Sequence, residues 1–156
     1  MNASVLNVEV SKTIRKPVDV VRRQFMDIEH HVRVGVHPKI TYEVHSQTAE
    51  ECRFRLETRV LGLRQVDENV LRRMPDGSVL IEVLSGNNAG MRILHLFEPQ
   101  GAGATTATLK LSIPVSGIKK LLKPLFGLGV RKTVADALEE DRRDLEERGY
   151  PAHASG

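Results

Sequence analysis

Residues 116–150 decide the fold; their sequence is SGIKKLLKPLFGLGVRKTVADALEEDRRDLEERGY. Apolar residues recur at steps of three, four and seven, which places them along one face of a helix: Ile118, Leu121, Leu122, Leu125, Val134, Ala137, Leu138 and Leu145. Gly149 followed by Pro151 is a helix stop signal. Because a helix of about 30 residues is about 45 Å long, we expect a wide layer beneath it.

The first half of this helix contains Pro124, Gly127 and Gly129, all unfavourable in a helix interior. One interpretation is a short helix up to Leu122, a kink, and a second helix with Pro124 in its first turn. Another is that the two glycines leave unfilled space beside the sheet. The two are compatible, because a kinked segment of small residues can leave a cavity open.

The composition predicts a soluble globular protein, with 40% hydrophobic and 28% charged residues. The length of 156 residues predicts one domain over residues 1–150, followed by a disordered tail at 151–156. One cysteine, Cys52, and the absence of a signal-peptide pattern favour the cytoplasm. A net charge of +3 and an aromatic content of 4% favour no nucleic-acid partner. The oligomeric state stays open between monomer and dimer.

Ahead of the long helix, the pattern predicts strands. Val5–Ile14 is a predicted strand, and Pro17 then starts two short helices that end near Gly35. From Ile40 to Ile113 the period changes to two, with turn signals such as Pro75-Asp76-Gly77 between the segments. Six consecutive strands joined by short turns make an antiparallel sheet. We therefore predict an α+β fold, a curved seven-stranded antiparallel sheet around a long C-terminal helix.

This element order resembles the START/SRPBCC helix-grip superfamily, which includes lipid-transfer domains, birch-pollen-allergen proteins, polyketide cyclases and coenzyme Q-binding proteins. Four local segments carry the resemblance together with the strand order: Ile14–Val21, Phe97–Pro99, Gly103–Ala107 and Leu121–Phe126. The resemblance implies a deep apolar cavity between the sheet and the last helix. It implies a hydrophobic ligand (a lipid, isoprenoid or polyketide) and no particular catalytic residues or cofactor.

Three functions follow as hypotheses, one of them an interaction module whose cavity is filled by its own side chains. The first is a carrier or sensor of a hydrophobic small molecule, without catalysis and with at most transient membrane contact. Lysines near the start of the last helix, such as Lys119 and Lys123, could attract an anionic membrane, although a solvated helix face is the simpler interpretation. The alternative is a cyclase, aromatase or dehydratase that uses the same cavity.

The more apolar side of each strand should face the cavity, although a slip of one residue reverses the assignment. The predicted ligand-binding residues are Tyr42, Phe54, Leu56, Thr58, Val66, Glu68, Ile81, Val83, Met91, Ile93, His95, Phe97 and His37. His95 is also the candidate catalytic residue, because an inward imidazole can orient a hydroxyl or move a proton near neutral pH. An ordinary core histidine is the competing interpretation.

A second group of histidines lies in the segment Glu29–Pro38. His30, His31 and His37, with Glu29, could ligate a metal or haem. Their spacing matches no standard metal motif, and adjacent residues point to different sides of a helix. We therefore predict no metal and no cofactor, with the histidines either lining the cavity mouth or acting as surface and packing residues.

Overall fold

The computed structural model describes residues 4–151. Its elements follow the predicted order and are, along the chain, β1 (Ser4–Ile14), α1 (Val18–Met26), α2 (Ile28–Val34), β2 (Thr41–Gln47), β3 (Glu51–Val60), β4 (Leu63–Arg73), β5 (Val79–Gly86), β6 (Arg92–Gln100), β7 (Ala104–Val115), α3 (Gly117–Leu121) and α4 (Lys123–Glu146). The predicted tail at 151–156 lies, apart from Pro151, outside the described residues. Within residues 4–151, no helix combines the length and hydropathy needed to cross a bilayer.

The seven strands form one sheet in the order β1-β7-β6-β5-β4-β3-β2, and all neighbouring strands are antiparallel. Helix α4 contacts both β1 and β3. Those strands are five interstrand spacings apart, about 24 Å in a flat sheet, whereas a helix is only about 10 Å wide. The sheet must therefore curve around α4, which confirms the predicted architecture.

The long C-terminal helix is broken at Leu122, between α3 and α4, and Pro124 lies in the first turn of α4. The predicted kink is confirmed. The prediction of unfilled space at the glycines is wrong. A Cβ atom on Gly127 would lie 3.2 Å from Leu6, and one on Gly129 would lie 2.8 Å from Leu61. Both glycines let α4 approach the sheet closely, and neighbouring side chains already fill the space.

The inward side of β4 is opposite to the predicted one. Gln65 and Asp67 are buried, whereas the side chain of Glu68 is 41% exposed and accepts a hydrogen bond from His45 at 2.9 Å. Val66 shares the outer side with Glu68. The apolar pattern of β4 is misleading because polar residues here face the interior, where they bond to the β5–β6 turn. The inward assignments of Val66 and Glu68 are therefore wrong.

Candidate functional site

A cavity of about 180 Å³ lies between the curved sheet and α4. Its wall is mostly apolar, with side chains from α1, α2, α4 and strands β2 to β7. The apolar lining residues are Phe25, Ile28, Ile40, Leu56, Val60, Ile81, Met91, Ile93, Leu109, Leu111, Ile113, Phe126, Val130, Val134 and Ala137. The remaining nine lining residues are polar, and such groups can fix the orientation of an apolar ligand.

Most of the residues predicted to bind ligand line this cavity. They are His37, Tyr42, Leu56, Thr58, Ile81, Met91, Ile93 and His95. Phe54 and Val83 are buried in solid core beside it, and Phe97 packs edge-on against Phe25 with ring centroids 5.3 Å apart. Val66 and Glu68 lie on the outer face. The ligand-binding role of the lining residues stays a prediction.

His95 presents a neutral imidazole to the cavity. Its Nδ1 lies 3.2 Å from the carbonyl oxygen of Val79. Because a carbonyl only accepts, Nδ1 carries the proton and Nε2 carries the lone pair. Burial, against weaker opposing effects, lowers the pKa of His95 to about 4. At neutral pH Nε2 of this cavity-lining side chain is therefore an unprotonated hydrogen-bond acceptor.

Asp67 and Asn88 form a second polar element of the wall, which links β4 to the β5–β6 turn. Asp67 accepts from the backbone N–H of Asn88 at 2.7 Å and from its Nδ2 at 2.8 Å. Lys119 of α3 donates to Gln65 at 2.8 Å and to the Asn88 side chain at 3.3 Å. Lys119 therefore ties α3 to the sheet and is not part of a uniformly solvated lysine face.

The third polar element joins α2 and the residues after it to α4. His31 Nε2 lies 3.0 Å and His37 Nε2 lies 3.4 Å from the same oxygen, Asp141 Oδ1. All three residues line the cavity and are more than nine-tenths buried. The ring of Tyr42 lies beside both imidazoles, with centroids 6.4 Å and 6.3 Å away.

The pKa values of His37 and Asp141 in this cluster are strongly shifted. Burial lowers the pKa of His37, but the charge of Asp141 and hydrogen bonds to Asp141 and Glu140 outweigh it and raise that pKa to about 9. Burial likewise raises the pKa of Asp141, and the charge of His37 with hydrogen bonds from both histidines reverses the direction and lowers it. The Tyr42 phenol, buried near two carboxylates, has a raised pKa and is neutral.

Sequence reasoning missed Asp141, although a signal was present. Asp141 follows Leu138 by three residues and precedes Leu145 by four, so it falls on the apolar stripe of α4. An acid on that stripe must find polar partners inside the protein. Gln24 of α1 is a further polar partner of Asp141. Its Nε2 donates a hydrogen bond to Asp141 at 3.0 Å and one to Asp144 at 3.0 Å.

His30 does not line the cavity, and its Nε2 lies 2.7 Å from Asp144 Oδ2. Glu29, the carboxylate that the sequence placed with the histidines, is exposed. Among the four residues singled out in this segment, the structure therefore brings only His31 and His37 together at the cavity wall.

The backbone is similar to several solved structures. The protein TTHA0849 from Thermus thermophilus superposes with a TM-score of 0.82 and 16% identity, covering 92% of this chain and 99% of that one. A START superfamily protein from Mycobacterium smegmatis superposes with a TM-score of 0.63 and 16% identity, covering 91% of this chain and 95% of that one. The chain has the START/SRPBCC helix-grip fold.

The helix-grip fold also occurs in the ZhuI aromatase/cyclase from Streptomyces sp. R1128, which superposes with a TM-score of 0.75 and 17% identity, covering 94% of this chain and 99% of that one. No protein-family model matches the sequence, and no curated protein matches it. At such low identity the similarity establishes the helix-grip fold alone.

Proposed function

We propose that this protein binds an apolar small molecule that carries one hydroxyl or similar donor, and acts as its carrier or sensor. The observation that carries the proposal is the cavity of about 180 Å³ with a mostly apolar wall and an inward acceptor at His95. Hydrophobic ligands are also consistent with the helix-grip fold, which includes lipid-transfer proteins. The ligand would occupy the space between α4 and the sheet.

The size of the cavity narrows the ligand class. An apolar cavity of about 150 Å³ in another protein is large enough for benzene. A cavity of about 180 Å³ therefore suits a compact molecule of one or two rings, and a sterol-sized lipid would require the wall to open. Burial of about 200 Å² of apolar ligand surface would contribute about 5 kcal/mol, before the cost of association.

The lowered pKa of His95 favours a carrier over the cyclase alternative. A general base works best when its pKa is close to the working pH. The pKa of His95 is about 4, so at neutral pH its imidazole is a weak base but a good hydrogen-bond acceptor. ZhuI is an aromatase/cyclase, but at 17% identity its similarity to this chain extends only to the fold.

Two probes of nearly one size test the proposal, 2-naphthol and naphthalene. We expect wild-type protein to bind 2-naphthol about 5-fold more tightly than naphthalene in a fluorescence titration, because one hydrogen bond contributes about 1 kcal/mol net. In His95→Leu we expect this preference to disappear while naphthalene binding persists. The control Met91→Leu changes another lining residue at similar volume and should keep the preference. Failure of the wild type to bind either probe would contradict the proposal.

His95 should also make stability depend on pH. Its pKa is about 4 in the folded protein and about 6.5 when unfolded. Between those pH values only the unfolded chain binds the proton, so folding stability is complete above pH 6.5 and falls towards pH 4. The loss should total about 3 kcal/mol by pH 4.

Denaturant unfolding of wild type and His95→Leu at several pH values isolates this contribution, because other groups titrate equally in both proteins. The difference between their unfolding free energies should shift in favour of the variant by about 3 kcal/mol from pH 7 to pH 4. A difference that stays constant over that interval would mean that His95 is not a buried neutral imidazole.

A further inference from the structure

Three potential ligand atoms converge at one point on the cavity wall. They are Nε2 of His31, Nε2 of His37 and Oδ1 of Asp141, and the metal-binding atoms of these residues lie within 4.8 Å of one another. Each residue comes from a different part of the chain: α2, the segment after it, and α4. Such a trio of two imidazoles and one carboxylate is a recognised donor set for transition metals.

The outer hydrogen bonds orient both imidazoles for this role. His31 Nδ1 lies 2.8 Å from the carbonyl oxygen of Asp27, so that Nδ1 carries the proton. His37 Nδ1 lies 3.3 Å from a carboxylate oxygen of Glu140. With Nδ1 protonated in both rings, each Nε2 can face the acceptor Asp141 Oδ1 in only two ways. Either each Nε2 also carries a proton and donates it to Asp141, or a metal ion takes the place of those two protons.

The distances suit a metal ion. Two ligand atoms that each lie about 2.1 Å from one ion are about 3.0 Å apart at a right angle and about 3.4 Å apart at the tetrahedral angle. The separations of the two Nε2 atoms from Asp141 Oδ1 are 3.0 Å and 3.4 Å. We propose that His31, His37 and Asp141 bind one divalent first-row transition-metal ion at the cavity wall.

The surroundings of the trio support this assignment. Metal-bound histidines usually donate their other N–H to a carbonyl or carboxylate, which fixes the ring and strengthens the ligand. Asp27 and Glu140 occupy those places, and Gln24 donates to the ligating oxygen of Asp141 at 3.0 Å. The charges of Asp141 and Glu140 together balance a divalent cation, so the buried site would carry no net charge.

The three donor atoms determine which metal ions suit the site, and the free coordination position determines what such an ion could contact. Two nitrogens and one oxygen suit Zn²⁺, Fe²⁺ or Co²⁺ rather than Mg²⁺ or Ca²⁺, which prefer oxygen alone. Three protein ligands leave at least one coordination position free. Because all three residues line the cavity, that position would be available to an oxygen atom of the bound molecule. A bound ion would polarise such an oxygen.

The test uses full-length protein that has been dialysed against a chelator and then titrated with Co²⁺. We expect one Co²⁺ per chain by calorimetry, with visible d–d absorption from a site of low coordination number. In His37→Gln the affinity should fall at least about 100-fold, since loss of an outer-shell partner alone costs about 10- to 100-fold. His45→Gln is the matched control, because His45 is an exposed histidine paired with Glu68, and it should bind as wild type.

A second measurement covers the case in which His37→Gln does not fold. In wild-type protein, Zn²⁺ should shift the imidazole ¹⁵N resonances of His31 and His37 and leave that of His45 unchanged. Absence of saturable Co²⁺ binding, or equal affinities in wild type and His37→Gln, would overturn the proposal and leave protonated imidazoles as the partners of Asp141. Neither readout requires an organic ligand, so this outcome is independent of the naphthol titrations.

Discussion

Asp141→Ala is expected to lower the free energy of unfolding by about 3–5 kcal/mol, even in metal-free protein. Asp141 is 5% exposed and accepts from Gln24 while facing both His31 and His37. Removing one partner of a buried ionic network leaves the remaining polar groups desolvated without compensation. Urea unfolding in the presence of chelator measures this loss of free energy. In a thermal scan, the same loss should lower the midpoint temperature of unfolding by about 10 °C.

Asp136→Ala is the control for that measurement. Asp136 lies on the same helix, is exposed, and pairs only with Lys132 at 2.8 Å among the described contacts. An exposed pair four residues apart contributes about 0.5 kcal/mol or less. A loss below about 1 kcal/mol in Asp141→Ala would show that the contacts of Asp141 with Gln24, His31 and His37 do not stabilise the packing of α4.

Ala137→Phe should abolish most ligand binding while leaving the fold intact. Ala137 is the smallest side chain that α4 contributes to the cavity wall. An added phenyl ring needs about as much room as benzene, for which about 150 Å³ suffices. The cavity has about 180 Å³, so little space would remain. We expect naphthalene affinity to fall about 100-fold, the equivalent of about 3 kcal/mol of lost burial.

Ala102→Phe is the matched control, because Ala102 is exposed in the turn between β6 and β7. It makes the same chemical change outside the cavity and should bind naphthalene as wild type does. Thermal unfolding of both variants verifies that each is folded. Equal naphthalene affinity in Ala137→Phe and wild type would place the binding site elsewhere.

The architecture could be predicted because each element has a strong local signal. The alternation around Phe54 predicts that β3 is a strand, and the stop signal at Gly149 predicts the end of the last helix. Neither prediction needs information about distant residues. The break before Pro124 follows from the missing N–H of proline. These effects act over a few residues, and the strand order then follows from short connections.

The candidate site could be predicted only in part. The regular alternation of β3 and β6 correctly placed Leu56, Thr58, Ile93 and His95 on the cavity wall, although Phe54 and Phe97 on the same strands lie outside it. The inward side of β4 was predicted wrongly. Asp67 faces inward because it accepts a hydrogen bond from the β5–β6 turn, and that turn is remote from β4 in sequence. The pairing of His31 and His37 with Asp141 depends on the rotation of α4 about its axis, which tertiary packing sets.

Native mass spectrometry of the protein purified from its own organism shows whether the cavity holds an apolar small molecule. We predict that the wild type carries a compact hydrophobic compound, released on denaturation, and that Ala137→Phe purified in the same way carries none. A wild type without any bound compound that also fails to bind naphthalene would contradict the account. An equally loaded Ala137→Phe would contradict the placement of the ligand between α4 and the sheet.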